Sequence, residues 1–209
     1  MAKIEPFEQH AQQYEEWFER NRFAYESELR AVRMLMPESG DAIEIGVGSG
    51  RFAAPLGIKL GVEPSAAMRA IARQRGIEVV DGVAESLPFA DARFDFAVMV
   101  TTICFVDNVE AALKEAYRVL RPEGCLLIGI IDKESPLGTL YQMHKNKSVF
   151  YAPATFYSVG ELIVLLEQAE FKDFRFTQTI FHPLAEIKEV EPVKEGYGEG
   201  SFVVIKGVK

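Results

Sequence analysis

The stretch Glu44-Ile45-Gly46-Val47-Gly48-Ser49-Gly50 limits the chain's architecture more than any other. It leaves a short apolar run, Ala42–Val47, and enters a segment too brief for more than a turn or two of helix before Gly57. Glycines let the backbone turn sharply and approach a ligand, and the N–H groups of the following helix point into the same space. A strand, a glycine turn and a helix in that order belong to an α/β sheet with its crevice at the strand ends. Alone, such a loop is also compatible with a tight turn that binds nothing. Gly48-Ser49-Gly50-Arg51-Phe52-Ala53 satisfies the dinucleotide pattern G-x-G-x-x-G/A. That fingerprint wants a ribose-binding acid about 20 residues further on. Around Met68–Ala70 there is none; the acid stands earlier, at Glu63 after Gly61-Val62.

The rest of the chain alternates in the same manner. Ile58–Val62, Ile77–Val80, Phe94–Val100 and Cys125–Ile131 read as strands, several apolar on both faces as in a covered parallel sheet. Ser65–Arg75 reads as a helix with Ser65 as N-cap, and Asn108–Leu120 as another capped by Asp107 or Asn108. Glu161–Gln168 is a late helix, and Phe171–Phe181 and Ser201–Lys206 are late strands. The expected fold is α/β, a doubly wound, Rossmann-like, mostly parallel sheet of seven strands. Two segments stand outside this alternation. Residues 1–37 carry helical spacing, with Phe7, Ala11, Tyr14, Trp17 and Phe18 on one stripe and Tyr25, Leu29, Val32, Met34 and Leu35 on a second. Residues 133–158 read as a long irregular stretch rich in aromatics. We expect a single domain over 1–209, with 1–37 as a helical cap and 133–158 as a lid insertion.

Composition narrows the partners. The 31 Asp and Glu against 23 Lys and Arg leave a formal charge of −8, with no basic footprint for a nucleic-acid backbone. No run of about 18 apolar residues is present, so no membrane span is expected. Met1–Arg30 lacks the apolar core of a secretory signal, which points to a cytoplasmic protein. The two cysteines, Cys104 and Cys125, sit in apolar runs and are too few for a metal cage.

The order acid-x-Gly-x-Gly-x-Gly, strand, Glu63 resembles the class I S-adenosylmethionine-dependent methyltransferases. So do Asp81-Gly82-Val83-Ala84-Glu85-Ser86-Leu87-Pro88-Phe89, Arg93-Phe94-Asp95 and Ala116-Tyr117-Arg118-Val119-Leu120-Arg121-Pro122-Glu123-Gly124. The resemblance spans about Phe7 to Ile131 plus the final strands. It implies S-adenosylmethionine as cofactor, with Glu63 accepting both ribose hydroxyls and Gly46, Gly48 and Gly50 bordering ribose and methionine. Glu44 would position the ammonium group, and Ala84 would meet the adenine edge. Pro64 and Met68 would pack on the nucleoside, while Val100 and Thr101 would face the sulfonium. Tyr14 is the candidate cover of the methionine tail. Val83 replaces an aspartate common in the family, so that the bond to the adenine amino group is missing or moves to Glu85.

The acceptor side is less legible. The Asn/Asp-Pro-Pro-aromatic motif of base and amide methylation is absent from Val100-Thr101-Thr102-Ile103, and the charge is acidic, which together favour a small-molecule acceptor. Asp132, His144 and Tyr141 are the weak catalytic candidates. His10 and His182 are also present, but a lone histidine is more often a surface group. Cys104 is expected to be a packing residue. A nicotinamide-dependent oxidoreductase, an aminopropyl transferase of the same fold and an inactive cofactor-binding protein are the alternatives. As a lid, Tyr14 and Trp17 would close over the methionine tail while Tyr141, His144, Phe150 and Tyr151 line an acceptor pocket.

Overall fold

Apolar residues on both faces of a strand require cover on both sides, and that cover is what the sheet receives. In the computed structural model, which describes residues 3–209, β1 (Ala42–Ile45), β2 (Leu60–Val62), β3 (Glu78–Val80), β4 (Phe94–Val100) and β5 (Leu120–Ile131) run parallel. β8 (Phe202–Val208) lies antiparallel between β5 and β6 (Lys172–Thr179), and the strand order is β3-β2-β1-β4-β5-β8-β6-β7. The expected seven strands are joined by an eighth: β7, only Lys194–Glu195, pairs antiparallel with β6 at the edge. Two residues in a glycine-rich, polar stretch give no alternation for a sequence reading to detect.

Alternate side chains of each strand enter opposite layers. One layer packs Ile43, Ile45, Met99, Leu126, Ile128 and Val203 against Leu113, Ala116 and Leu162. Those three lie on α6 (Val109–Val119) and α8 (Val159–Gln168). The other packs Phe96, Val98, Leu127, Phe202 and Val204 against Phe18, Ala31, Val32 and Ala72. These come from α2 (Ala11–Arg20), α3 (Arg22–Leu35) and α5 (Ala66–Gln74). The short α4 (Ala53–Leu56) stops at Gly57, whose φ of +78° suits glycine.

Caps form where their chemistry calls for them. Ser65 accepts from the Met68 N–H, Asn108 from the Ala111 N–H, and Ser158 and Glu161 form a reciprocal capping box. The first amphipathic stripe is not one helix. It breaks at His10, whose backbone leaves the helical region, into α1 (Glu5–Gln9) and α2, and Glu8 of α1 accepts the N–H groups of Ala66 and Ala67 at the start of α5. Residues 133–158 are more regular than expected. Ser135 caps α7 (Pro136–Met143), which has Pro136 at its first turn, where a missing N–H costs nothing.

Two motifs of the resemblance serve the scaffold. Asp95 accepts the Asp41 N–H at 2.7 Å and the Arg121 guanidinium at 2.7 Å, joining the entries of β1, β4 and β5. Gly124 has no room for a side chain, since a Cβ there would lie 2.8 Å from the Arg121 carbonyl oxygen and 2.9 Å from that of Asp95. Gly124→Ala should therefore lower stability by about 1–3 kcal/mol, the usual cost of overpacking. Urea denaturation with an unchanged midpoint would show that the turn opens freely.

Candidate functional site

The site lies at the carboxyl ends of β1, β2 and β4, where the glycine loop leaves β1. Gly46, Gly48 and Gly50 have φ of +70°, +52° and +82°, a region that disfavours other residues. Their surroundings differ. A Cβ on Gly46 would lie 2.2 Å from Thr102 Cγ2, and one on Gly50 would lie 2.4 Å from Ile77 Cδ1. A Cβ on Gly48 would meet only the Tyr14 hydroxyl, at 3.6 Å. Gly46 thus admits the end of β4, Gly50 admits the layer beneath α5, and only Gly48 keeps open space for something outside the protein.

Glu63 ends β2 with its carboxylate turned back on this loop. One oxygen accepts the Gly48 N–H at 2.9 Å and the other the Ser65 N–H at 2.8 Å. Burial raises its pKa, and the two backbone donors hold it back down. Each oxygen keeps a free lone pair. Glu44 lies beneath the loop, 2% exposed, and among the described residues its Oε2 has no hydrogen-bond partner. Burial pushes its pKa well up.

A cavity of about 730 Å³ runs along these groups. Of the residues that the resemblance assigns to the cofactor, Tyr14, Gly46, Gly48, Glu63, Pro64, Met68, Ala84, Glu85, Val100 and Thr101 line it. Two expected members do not. Gly50 packs against Ile77, and Glu44 stays under the loop. Glu85 lines the wall, but its Oε1 already accepts the N–H groups of Asp107 and Asn108 at the start of α6. The wall from Val83 to Leu87 is anchored from the same helix: Glu115 accepts the Leu87 N–H, and Arg118 donates to the carbonyls of Leu87 and Phe89. Sequence reasoning missed Thr102, whose hydroxyl donates to the Gly46 and Val100 carbonyls, and Phe7 and Phe105, which close the cavity from the start and the middle of the sequence. The fit of Phe7 against Phe105, ring centroids 5.0 Å apart, is made by the docking of α1 and left no local signal.

A second cavity, about 980 Å³, adjoins the first. Phe7, Tyr14, Thr101 and Phe105 line both. Thr101 has φ of +51°, uncommon for a β-branched residue, and so stands strained at the junction. The second cavity is walled by Trp17, Phe18, Phe52, Tyr141, Phe150 and Tyr151. Tyr141 and Tyr151 stack with centroids 4.6 Å apart, and Phe150 lies against Phe7 and Tyr14 of the cap. Burial raises the pKa of Tyr14 and Tyr151 and pushes Tyr141 up to about 12, so all stay protonated near neutrality.

The catalytic candidates separate here. Tyr141 lines the second cavity. Asp132 does not: its Oδ1 accepts the Glu134 N–H and its carbonyl accepts the Ser135 hydroxyl, so that it shapes the turn into α7. His144 ends α7 exposed and lines neither cavity. Trp17, expected over the first cavity, faces the second alone. Burial pushes the Cys104 thiol up to about 12, and it donates to the Thr101 carbonyl, both unsuited to a nucleophile. Among the described residues, no group of three His, Cys, Asp or Glu could hold a metal ion. No helix there is long and apolar enough to cross a membrane.

The residue most thoroughly missed is Glu28. It lies on α3, 4% exposed, lines the second cavity, and among the described residues its carboxyl has no hydrogen-bond or ion-pair partner. Burial alone pushes its pKa from 4.5 to about 8. The folded chain then keeps a proton that the unfolded chain releases, so stability falls as pH rises from about 4.5 to about 8 and is flat beyond. Glu28→Gln should remove this slope: its stability relative to wild type should rise by a few kcal/mol between about pH 5 and pH 8. A difference independent of pH in urea denaturation would mean that the carboxyl reaches water.

Glycine substitutions separate the loop's two duties. Gly48→Val should keep the fold, at about 1–2 kcal/mol for the left-handed backbone, while filling the first cavity. Gly46→Ala should unfold more readily than Gly48→Val, because its Cβ collides with Thr102. Thermal melts of both, with the order reversed, would contradict this division.

A methyltransferase-domain family model matches residues 43–128, from β1 into β5. A Thermotoga maritima protein described as a SAM-dependent methyltransferase, possible histamine N-methyltransferase, has a crystal structure that matches with TM-score 0.97 at 57% identity, covering 99% of either chain. An uncharacterised Methanocaldococcus jannaschii protein is 45% identical over 203 residues, 97% of this chain and 98% of the relative. The ubiquinone/menaquinone biosynthesis C-methyltransferase UbiE of Rubrivivax gelatinosus is 38% identical over 106 residues, 47% of this chain and 42% of its own length. That shorter match spans less than half of either protein, whereas the Thermotoga match extends over the cap, the sheet and the segment between β5 and α8. With the glycine loop, Glu63 and the sheet order in agreement, the chain belongs to the class I S-adenosylmethionine-dependent methyltransferase family.

Proposed function

We propose that the chain binds S-adenosylmethionine in the first cavity and transfers its methyl group to a small molecule held in the second. The observation that carries this reading is the sharing of Phe7, Tyr14, Thr101 and Phe105 by the two cavities, which brings a donor site and an acceptor site to one junction. The residues suit the cofactor. The free lone pairs of Glu63 would accept the ribose hydroxyls while its other pairs hold the Gly48 and Ser65 N–H groups. The open face of Gly48 would let the nucleoside lie against the backbone, and Glu44, whose Oε2 is unpartnered among the described residues, would help position the methionine amino group from beneath the loop. Ala84 would offer its backbone N–H to the adenine edge, with Pro64 and Met68 packing on the nucleoside. Val100 and Thr101 would border the sulfonium, and Tyr14 would cover the methionine tail.

When bound, the cofactor supplies a methyl carbon already activated by its sulfonium. The chain's own part is then chiefly to hold the acceptor in line and keep water out, which accounts for much of the acceleration in such displacements. The enclosing rings of Phe7, Tyr14, Phe105 and Phe150 suit both tasks. A nicotinamide fingerprint places its ribose acid about 20 residues beyond its glycines, whereas Glu63 stands nearer to them, and Val100–Phe105 offers no acid for aminopropyl transfer. The acidic charge and the enclosed second cavity favour a small acceptor over a nucleic acid.

Glu63→Ala should weaken S-adenosylhomocysteine binding by about 30- to 1000-fold, the loss of about 2–4 kcal/mol from two hydrogen bonds to a charged group. Calorimetric titration with binding kept within about threefold would remove Glu63 from the ribose site. Labelled-methyl transfer to a pool of small metabolites, absent in Gly48→Val, tests the activity itself.

A further inference from the structure

The second cavity holds one polar group that no described residue satisfies. Its wall is aromatic on nearly every side, yet Glu28 places a carboxyl there that is 4% exposed and without a partner among the described residues. A buried acid left alone is costly, and a well-packed apolar residue at the same place would stabilise the fold. The titratable groups around it are Tyr14, Tyr141 and Tyr151, with Arg20 exposed at the rim; no charged side chain acts on Glu28 strongly enough to offset its burial. A neutral apolar acceptor would leave the carboxyl orphaned, and an anion would be repelled once Glu28 ionised. A protonated nitrogen would satisfy it with N–H donors and charge, and would also be held by the faces of aromatic rings.

We infer that the second cavity takes a small amine, with Glu28 holding the nitrogen and the rings of Trp17, Tyr141 and Tyr151 enclosing its cationic end. This rests on the second cavity being the acceptor site. Near neutrality the free amine and the Glu28 carboxyl each carry a proton. The bound pair shares only one, so one proton leaves to solvent on binding. When the shared proton sits on Glu28, the nitrogen lone pair is free. The nitrogen then forms its bond to the methyl carbon, the carbon–sulfur electron pair stays on sulfur, and the product leaves as an N-methylated ammonium. An acid with its pKa near 8 is well matched to an exchange of this kind.

Trp17 is the chain's single tryptophan and lines this cavity, so its fluorescence reports on occupancy directly. The full chain, saturated with S-adenosylhomocysteine, is titrated with benzylamine and 2-phenylethylamine and with benzyl alcohol and 2-phenylethanol. The amines should bind at least about tenfold more tightly than the matched alcohols. Glu28→Gln should close that gap while binding S-adenosylhomocysteine as wild type does. Calorimetry in buffers of different ionisation enthalpy should find about one proton released per amine bound to wild type and none with the variant. Equal affinities for amine and alcohol, a preference that survives Glu28→Gln, or no amine binding by protein that holds S-adenosylhomocysteine would each overturn the inference. Failure to bind S-adenosylhomocysteine at all would overturn the proposed function instead.

Discussion

The site depends on the carboxylate of Glu63. It grips the Gly48 N–H with one oxygen and the Ser65 N–H with the other, so the glycine loop after β1 and the start of α5 are fastened to the end of β2. Charged acceptors of backbone N–H groups make strong hydrogen bonds, stronger when buried. The loop needs this fastening because its glycines carry little preference of their own for one conformation. Thr102 secures the other side by donating to the Gly46 carbonyl. The cavity is therefore shaped by bonds within the chain that leave lone pairs to spare.

A second set of acids ties the cap over that cavity. Glu8 accepts two N–H groups at the start of α5, and Glu15 meets Arg51 and Arg75 on the body of the domain. Arg51 also donates to Glu19, and its carbonyl accepts the Tyr25 hydroxyl. Single ion pairs on a surface contribute little, but several that converge on the same guanidinium groups fix a geometry. The result places Phe7, Tyr14 and Trp17 where residues far along the chain, Phe105, Phe150 and Tyr141, complete the enclosure.

The enclosure explains why its polar groups are few and consequential. Burial holds the hydroxyls of Tyr14, Tyr141 and Tyr151 and the thiol of Cys104 in their neutral forms. Glu28 differs because burial places its pKa at about 8 and, among the described residues, its oxygens find no partner. Natural cores rarely keep such a group without use, and the use argued above follows from what would satisfy it.

The amino-acid sequence by itself determined the sheet, the glycine turn and the acid after β2. These are local patterns: apolar runs of strand length, glycines at alternate positions, and one carboxylate at a fixed distance from them. It also identified most of the first cavity's lining, because those residues sit at strand ends whose place follows from topology. Only the tertiary structure decided the second cavity. On α3 the apolar spacing runs through Tyr25, Leu29 and Val32, yet the buried face is Ala24, Ser27, Glu28, Ala31 and Val32, where small residues bring the helix close to β6. Glu28 is thereby carried inward, whereas Asp132 is drawn into a turn and His144 is left at an exposed helix end. The direction a polar side chain takes from a helix or a turn depends on what packs against it, and that is settled between segments more than a hundred residues apart.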